Sequence, residues 1–440
     1  MRLRKSIFWL HLAAGIMAGS VVFVMSVTGI LLAFERQIVA LVERHTRAVQ
    51  PPTPDAPRLG PDALVSKAHE TLPEGTPANV TLSAHPVTAA LVSFGREQVV
   101  FVDPYTGAVL GEGATTLRGF FRIVTDWHRW LGTSGESREI GRAVTGACNS
   151  AFVVLVITGF YLWWPRRWTR AALKTATVPS LKLHGKPRDW NWHNAVGFWS
   201  APALFCIALT GVVMSYQWAN NLIYTLTGSE PPPVPQRPLA SPPGGVSARQ
   251  GGSVPGTPGS APDARAEPRV GPAGGATGEQ RGRDGAGGEP GTKPVVASLD
   301  AVFAAAVERA PHWRVMTMRL PQRGTPQMTV MVEEATSLHP YPRSTLTVEV
   351  ATAAVAKWEP FASYNLGRTI RFWVRPVHTG EAGGLIGQII AALVSAGGAA
   401  LAYTGLALAW RRLWRFVRRH RRLDGAVREE EQNVARSHAS

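Results

Sequence analysis

Four stretches of this 440-residue chain contain no Asp, Glu, Lys or Arg: Leu12 to Phe34, Ala143 to Trp164, Ala195 to Ser229 and Ala382 to Trp410. A helix rises about 1.5 Å per residue, so about 20 apolar residues are needed to cross a hydrocarbon core about 30 Å thick. All four stretches meet that length. The first is too long for the apolar region of a secretory signal, about 7–15 residues. It ends in Phe34-Glu35-Arg36 rather than in a small-residue cleavage site. It therefore reads as a retained span, and the expected architecture is a membrane all-α four-helix bundle.

Charge orients the bundle. The formal net charge is +16, a balance that in a soluble protein suggests nucleic acid. Here the cations are segregated. Arg2, Arg4 and Lys5 precede the first span. Arg166, Arg167, Arg170, Lys174, Lys182, Lys186 and Arg188 lie between the second and third, and Arg411, Arg412, Arg415, Arg418, Arg419, Arg421 and Arg422 follow the fourth. Four crossings put these three places on one side of the lipid bilayer, and the positive-inside rule makes that side cytoplasmic. Both termini are then expected in the cytoplasm of a bacterial inner membrane, with the large loops periplasmic. No RNA- or DNA-binding motif accompanies the basic runs, so no nucleic-acid partner is expected. The two cysteines, Cys148 and Cys206, fall inside spans and read as small apolar residues.

The expected organisation follows from these limits. Residues 1–35 hold the N-terminus and span one, and 36–126 an exterior α+β domain. Residues 127–165 hold a histidine segment leading into span two, 166–189 a basic loop, and 190–219 span three. An exterior linker (220–296), a second exterior domain (297–370), span four (371–410) and a basic tail (411–440) complete the chain. In the first exterior domain Pro61 to Leu72 reads as a helix, and Asn79–Ser83, Ala89–Phe94 and Gln98–Val102 read as strands rich in β-branched residues. Asp103-Pro104-Tyr105-Thr106-Gly107 is a turn, with Pro early and Gly late. The second repeats the order: a helix at Ser298 to Ala310, then strands near Val315–Leu320, Met328–Val332 and Thr345–Val350. Between span three and this domain, Pro231 to about Thr292 is dominated by Pro, Gly, Ser and Ala and is expected to be disordered and dispensable.

The chain also repeats on a larger scale. Thr-Gly occurs late in every span, at Thr28-Gly29, Thr158-Gly159, Thr210-Gly211 and Thr404-Gly405, and one histidine precedes or begins each, at His11, His128, His193 and His378. Both His11–Thr28 and His193–Thr210 are separated by 17 positions. The expectation is a tandem two-span repeat, each unit a span, an exterior α+β domain and a return span.

Topology sorts the four histidines into two layers. His11 and His193 lie near the cytoplasmic surface, and His128 and His378 near the exterior one. Polar groups at membrane depth point to function, and two imidazoles from facing helices can hold a six-coordinate haem iron. The bland alternative is that all four are interfacial residues, like the belt residues Trp9, Trp127, Trp130, Trp192 and Trp373. A His–Met haem would recruit Met25 or Met214, and a zinc site would need its ligands clustered. A glycine follows each histidine by about one turn: Gly15, Gly132, Gly197 and, one residue later, Gly383. These glycines fit close approach of a flat cofactor or plain helix–helix packing equally well. Histidines 45, 69, 85, 184, 312, 339, 420 and 438 lie in loops, soluble domains or tails and form no catalytic or metal-spaced set. The chain has no P-loop, Rossmann fingerprint or iron–sulfur cysteine cluster.

Several segments together resemble the PepSY-associated transmembrane helix family, whose members include ferrioxamine-type siderophore reductases of bacterial inner membranes. They are Trp9-Leu10-His11 with Gly15; Trp127-His128-Arg129-Trp130-Leu131-Gly132; the run from Thr158-Gly159 through Trp163-Trp164-Pro165-Arg166-Arg167; Asn191-Trp192-His193-Asn194; and Val377-His378-Thr379-Gly380. Val102 to Gly107 is similar to a PepSY-domain signature. In the second exterior domain Val350-Ala351-Thr352-Ala353-Ala354 stands where that signature is expected, so the turn reads as degenerate and the domain as a scaffold. The resemblance implies two b-type haems, ligated by the four histidines, and electron transfer across the membrane. A separate donor, cytoplasmic or quinol, would supply the electrons, and a periplasmic ferric chelate or siderophore would accept them. Arg122, Arg129, Arg371 and Arg375 are then expected to attract an anionic chelate or to anchor headgroups. The rival expectations are a non-redox PepSY module that binds or restrains a periplasmic protease or peptide, and a haem or iron transport component.

Overall fold

The computed structural model describes residues 2–95, 97–165, 168–232, 298–321, 325–334 and 342–437, with side chains through Arg418. Arg166, Arg167, His339, His438 and, from residue 233 on, the stretch expected to be disordered lie outside the described residues, as do the side chains of Arg419, His420, Arg421 and Arg422.

The first half of the chain runs α1 (Arg2–Leu32), α2 (Glu35–Val42), α3 (Arg44–Arg47), α4 (Pro61–Thr71), β1 (Asn79–Ser83), β2 (Ala90–Phe94), β3 (Gln98–Val102), β4 (Val109–Glu112), α5 (Thr115–Trp130), α6 (Ser137–Trp163) and α7 (Arg170–Thr177). The second half runs α8 (Gly185–Ser215), α9 (Gln217–Leu226), α10 (Leu299–Arg309), β5 (Trp313–Arg319), β6 (Gln327–Glu334), β7 (Arg343–Glu349), β8 (Val355–Glu359), α11 (Leu366–Thr379) and α12 (Gly384–Ser437). Among the described residues four helical segments are long and apolar enough to cross a membrane: Arg2–Val42, Ser137–Trp163, Gly185–Ser215 and Glu381–Arg418.

In the bundle α1 packs against α6 and α12, and α8 against the same two. Small residues set these approaches. A Cβ on Gly19 would meet Leu406 at 3.0 Å, and one on Gly398 would meet Ser26 at 2.9 Å. Lipid offers apolar side chains no worse a solvent than the protein interior, so close backbone packing is what holds spans together. Asn149 adds a buried tie by donating to the Ala208 carbonyl at 2.9 Å.

The third span is shorter than its uncharged stretch. α8 stops at Ser215, Tyr216 is extended (φ −121°, ψ 130°), and α9 leaves as a separate helix. Gln217, Asn220 and Asn221 carry no charge but are polar, and that is why absence of charge overestimates the span. Two more boundaries differ. His128 and His378 do not begin spanning helices. His128 belongs to α5, which closes at Leu131 in a left-handed conformation, and His378 to α11, which closes at left-handed Gly380. Both short helices are strongly amphipathic and pack against the spans, α5 on α1 and α6 and α11 on α8.

The two segments expected as separate small domains share one sheet. Its order is β4-β3-β2-β1-β5-β6-β7-β8, antiparallel throughout, and β1 pairs with β5 from Asn79↔Arg319 to Ser83↔Val315. Helices α4 and α10 cover one face over a single core that includes Leu64, Val80, Val92, Val302, Met316, Val330 and Leu346. Alternation along each strand supplies that face: β6 and β7 bury every second residue. The helix N-termini cap each other. Asp62 N–H donates to Asp300 Oδ1 at 3.0 Å and Asp300 N–H to Asp62 Oδ2 at 3.1 Å. Edge strands β4 and β8 were missed in the sequence because each is short and partly exposed.

Candidate histidine pair sites

The bundle brings the four histidines together two by two. The His11 and His193 ring centres are 6.4 Å apart with planes at 87°. His128 and His378 are 6.3 Å apart with planes at 69°. The first pair stands on α1 and α8, the second on α5 and α11.

The recurring Thr-Gly dipeptides explain how each ring is seated. Thr158 Oγ1 lies 2.9 Å from His11 Nδ1, Thr28 2.9 Å from His128, Thr404 2.9 Å from His193 and Thr210 3.2 Å from His378. Each hydroxyl also lies 2.7 Å from the carbonyl four residues earlier, that of Val154, Val24, Ala400 or Cys206. A hydroxyl has one proton. Given to the carbonyl, it leaves the threonine oxygen to accept, so each imidazole donates from Nδ1–H. At His378 the inference is independent, because Nδ1 also lies 2.9 Å from the Ile207 carbonyl oxygen, which can only accept. The tautomer so fixed leaves the lone pair on Nε2, and among the described residues no hydrogen bond engages the Nε2 of any of the four.

The glycine of the dipeptide makes room for the ring. A Cβ on Gly159 would meet His11 Cε1 at 3.1 Å, on Gly405 His193 Cε1 at 3.3 Å, and on Gly29 His128 Cε1 at 3.5 Å. Gly211 is the exception, facing Asn149 instead. Sequence reasoning took Thr-Gly as a marker of the repeat and missed that it seats the histidines. The signal was present, since each dipeptide recurred with one histidine.

The four glycines singled out beside the histidines separate. Gly15 and Gly197 line a cavity of about 850 Å³ that runs from His11 and His193 to the basic end of the bundle. Gly132 instead adopts φ +74° in the turn after α5, with Trp127 packed where its Cβ would be. Gly383 ends a 3-10 turn and faces open space. The one-turn spacing holds only where the helix continues, and α5 ends two residues before Gly132.

The arginines near the second pair are largely engaged. Arg122 pairs with Glu97 and stands 4.0 Å from Asp126. Arg371 donates to Asn220 at 2.6 Å, and the Arg129 guanidinium lies 4.6 Å from the Trp130 ring centre. Burial lowers the Arg375 pKa from its ordinary value, and nearby Arg36 adds to this, with Glu381 and Glu35 acting the other way. Met25 and Met214 are not needed as ligands where each histidine already faces another.

Metal–nitrogen bonds to imidazole are about 2 Å, and the ring centre lies about 1.1 Å behind the nitrogen. Two imidazoles on opposite sides of one metal ion therefore place their centres a little over 6 Å apart, as both pairs do. Among the described residues no group of three or more His, Cys, Asp and Glu gathers as for a bare ion. A planar macrocycle would fit the His11–His193 pair and the apolar cavity beside it.

Fold and site define a membrane protein of four spans that carries a sheet at one end and two pairs of seated imidazoles within. The family model described as the PepSY-associated TM region matches residues 8–412, and the chain belongs to that family. No curated protein matches it.

Proposed function

We propose that this protein is an inner-membrane di-haem b electron carrier that moves electrons from a cytoplasmic-side or quinol donor to a periplasmic acceptor, a ferric siderophore. The observation that carries the reading is the double pair of imidazoles at 6.4 and 6.3 Å, each with Nδ1–H committed and Nε2 open. His11 and His193 would hold one b-type haem, His128 and His378 the other. When bound, each haem supplies a one-electron Fe(III)/Fe(II) couple.

The chain's own part is positional. The threonines fix the tautomer and orientation of the ligands, the kind of outer contact that metal-ligating histidines require. His11 and Thr28 are 17 residues apart on α1, so the two layers stand about 25 Å apart along the helix. The cation clusters support a cytoplasmic basic end and a periplasmic sheet, read as paired PepSY-like halves of a tandem repeat. Matching histidine–threonine exchanges within residues 11–158 and 193–404, and the reciprocal Asp62–Asp300 caps, support the repeat. Reduction of Fe(III) weakens its hold by hard oxygen ligands, so release needs no nucleophile or acid–base set from the chain.

Stopped-flow mixing of dithionite-reduced protein with ferric siderophores tests this function. The expected result is reoxidation faster than in buffer alone. Equal rates with every ferric chelate would exclude siderophore reduction.

A further inference from the structure

The cavity beside His11 and His193 has a polarity that the imidazole pair does not explain. Its inner part is built from glycines, leucines, phenylalanines and other apolar residues, but its mouth carries Arg4, Lys5, Lys186, Arg412 and Arg415. Among the described residues no Asp or Glu lines it. The nearest acidic device, buried Asp189, is taken by Arg188 at 3.0 Å and by an ion pair with Arg411 at 3.1 Å. Five cations thus converge on the edge of an apolar slot without a carboxylate among them.

Their placement repeats. Arg4 lies seven residues before His11, and Lys186 seven before His193. Seven residues are about two helical turns, which returns both side chains to the face of the histidine, about 10 Å further toward the basic end. From the fourth span Arg412 is held over the rings of Phe8 and Trp9, 5.1 and 4.8 Å from their centres. Arg4 is anchored by donating to the Leu162 carbonyl at 2.5 Å, which spends one of its five N–H groups. Arg4 and Arg412 are therefore positioned, not merely present.

We infer that this mouth is an anion site for the two carboxylates of the macrocycle held by His11 and His193, with Arg4 and Lys186 as their principal partners and Arg412 closing the edge. The inference rests on the proposed haem reading and assigns the orientation of the inner group: apolar edge toward Gly15 and Gly197, carboxylate edge toward the basic end. The same chemistry would suit the phosphate of an anionic lipid entering the slot, and the test separates the two.

Haem transfer from the detergent-solubilised holoprotein to apomyoglobin resolves an inner and an outer phase, assigned with His11→Ala and His128→Ala. Arg4→Gln combined with Lys186→Gln should speed the inner phase about tenfold, the factor carried by a lost charge-assisted hydrogen bond. It should also lower the inner midpoint potential, leave the outer phase unchanged, and be largely reversed by Arg4→Lys. An unchanged inner phase in the double variant would overturn the inference. So would loss of bound phospholipid phosphorus from that variant with haem release unaltered. Wild-type protein without haem would instead defeat the proposed function itself.

Discussion

The two imidazole pairs are seated alike but carried differently. His11 and His193 stand on α1 and α8, helices that cross the whole bundle, so their positions follow from span packing alone. His128 and His378 stand on α5 and α11, short helices that end in left-handed turns and are tied to the sheet. On one side Arg122 of α5 pairs with Glu97 beside β3, and Glu43 (2 % exposed), between α2 and α3, holds the start of α5 by accepting from Arg118 at 2.7 and 2.8 Å, from Arg47 at 2.6 Å and from Ala114 N–H at 3.0 Å. On the other, Arg368 meets Glu359 at 2.8 Å and Tyr364 donates to the Arg343 carbonyl at 2.9 Å. The inner site thus needs the bundle; the outer site needs the bundle and the sheet. A disturbance of the sheet has a mechanical line to the pair on α5 and α11 and none to the pair on α1 and α8.

The largest expected effect breaks that line. Glu43→Gln removes the charge from a buried carboxylate shared by two partly exposed guanidinium groups, a loss of about 2 kcal/mol. Hydrogen exchange should show α5 losing protection while the middle of α1 keeps its own; equal loss in both would erase the distinction between the sites. The same contact sets a pH dependence. Burial acts to raise the Glu43 carboxyl, but Arg118, Arg47 and the Ala114 N–H outweigh it and hold it below the ordinary value of 4.5. A depressed carboxyl stabilises the fold fully above its unfolded value. Protection of α5 should therefore begin to fall as pH drops below about 4.5, and α1 should not follow.

A smaller effect sharpens the comparison ring by ring. Replacing one seating threonine with valine removes an acceptor from Nδ1–H, worth about 1 kcal/mol. Thr158→Val should alter the potential and haem release of the inner site only, Thr28→Val those of the outer only, and serine should restore each. Thr210→Val should do less than Thr158→Val, because the Ile207 carbonyl still holds His378. Equal responses at Thr210 and Thr158 would refute the tautomer assignment.

The smallest expected effect lies in the sheet, where two turns follow the same plan. Gly107 N–H donates to the Asp103 carbonyl at 2.9 Å and Ala353 N–H to that of Glu349 at 3.0 Å, with Asp103 N–H and Glu349 N–H returning to Ala108 and Ala354. Gly107 has φ +74° and Ala353 φ +57°. An L-residue with a Cβ is strained in that region, by about 1 kcal/mol. Ala353→Gly should accordingly raise the chemical-denaturation midpoint by about 0.5–1 kcal/mol of stability, and Gly107→Ala should lower it. No change at Ala353 would mean that its turn relaxes without strain.

Much of this was legible in the sequence, for identifiable reasons. Uncharged runs set the spans, and alternation of β-branched residues set β1 to β3 and β5 to β7. The direction of each span sorted the four histidines into two layers. Three things were not legible. Fusion of the exterior segments through β1 and β5 depends on long-range pairing that no local pattern records. The detachment of His128 and His378 onto α5 and α11 turns on left-handed conformations at Leu131 and Gly380. The turn at Ala353 looked degenerate because its residue types differ, although its hydrogen bonds match those at Gly107.

The central claim is that each imidazole pair holds one haem. It is tested most directly by haem content and dithionite-reduced spectra of the detergent-purified protein and of the His11→Ala, His193→Ala, His128→Ala and His378→Ala variants. The account predicts two b-type haems per wild-type chain, about one in each variant, and like spectra for the two members of a pair. Full haem content in all four variants, or none in the wild type, would contradict it.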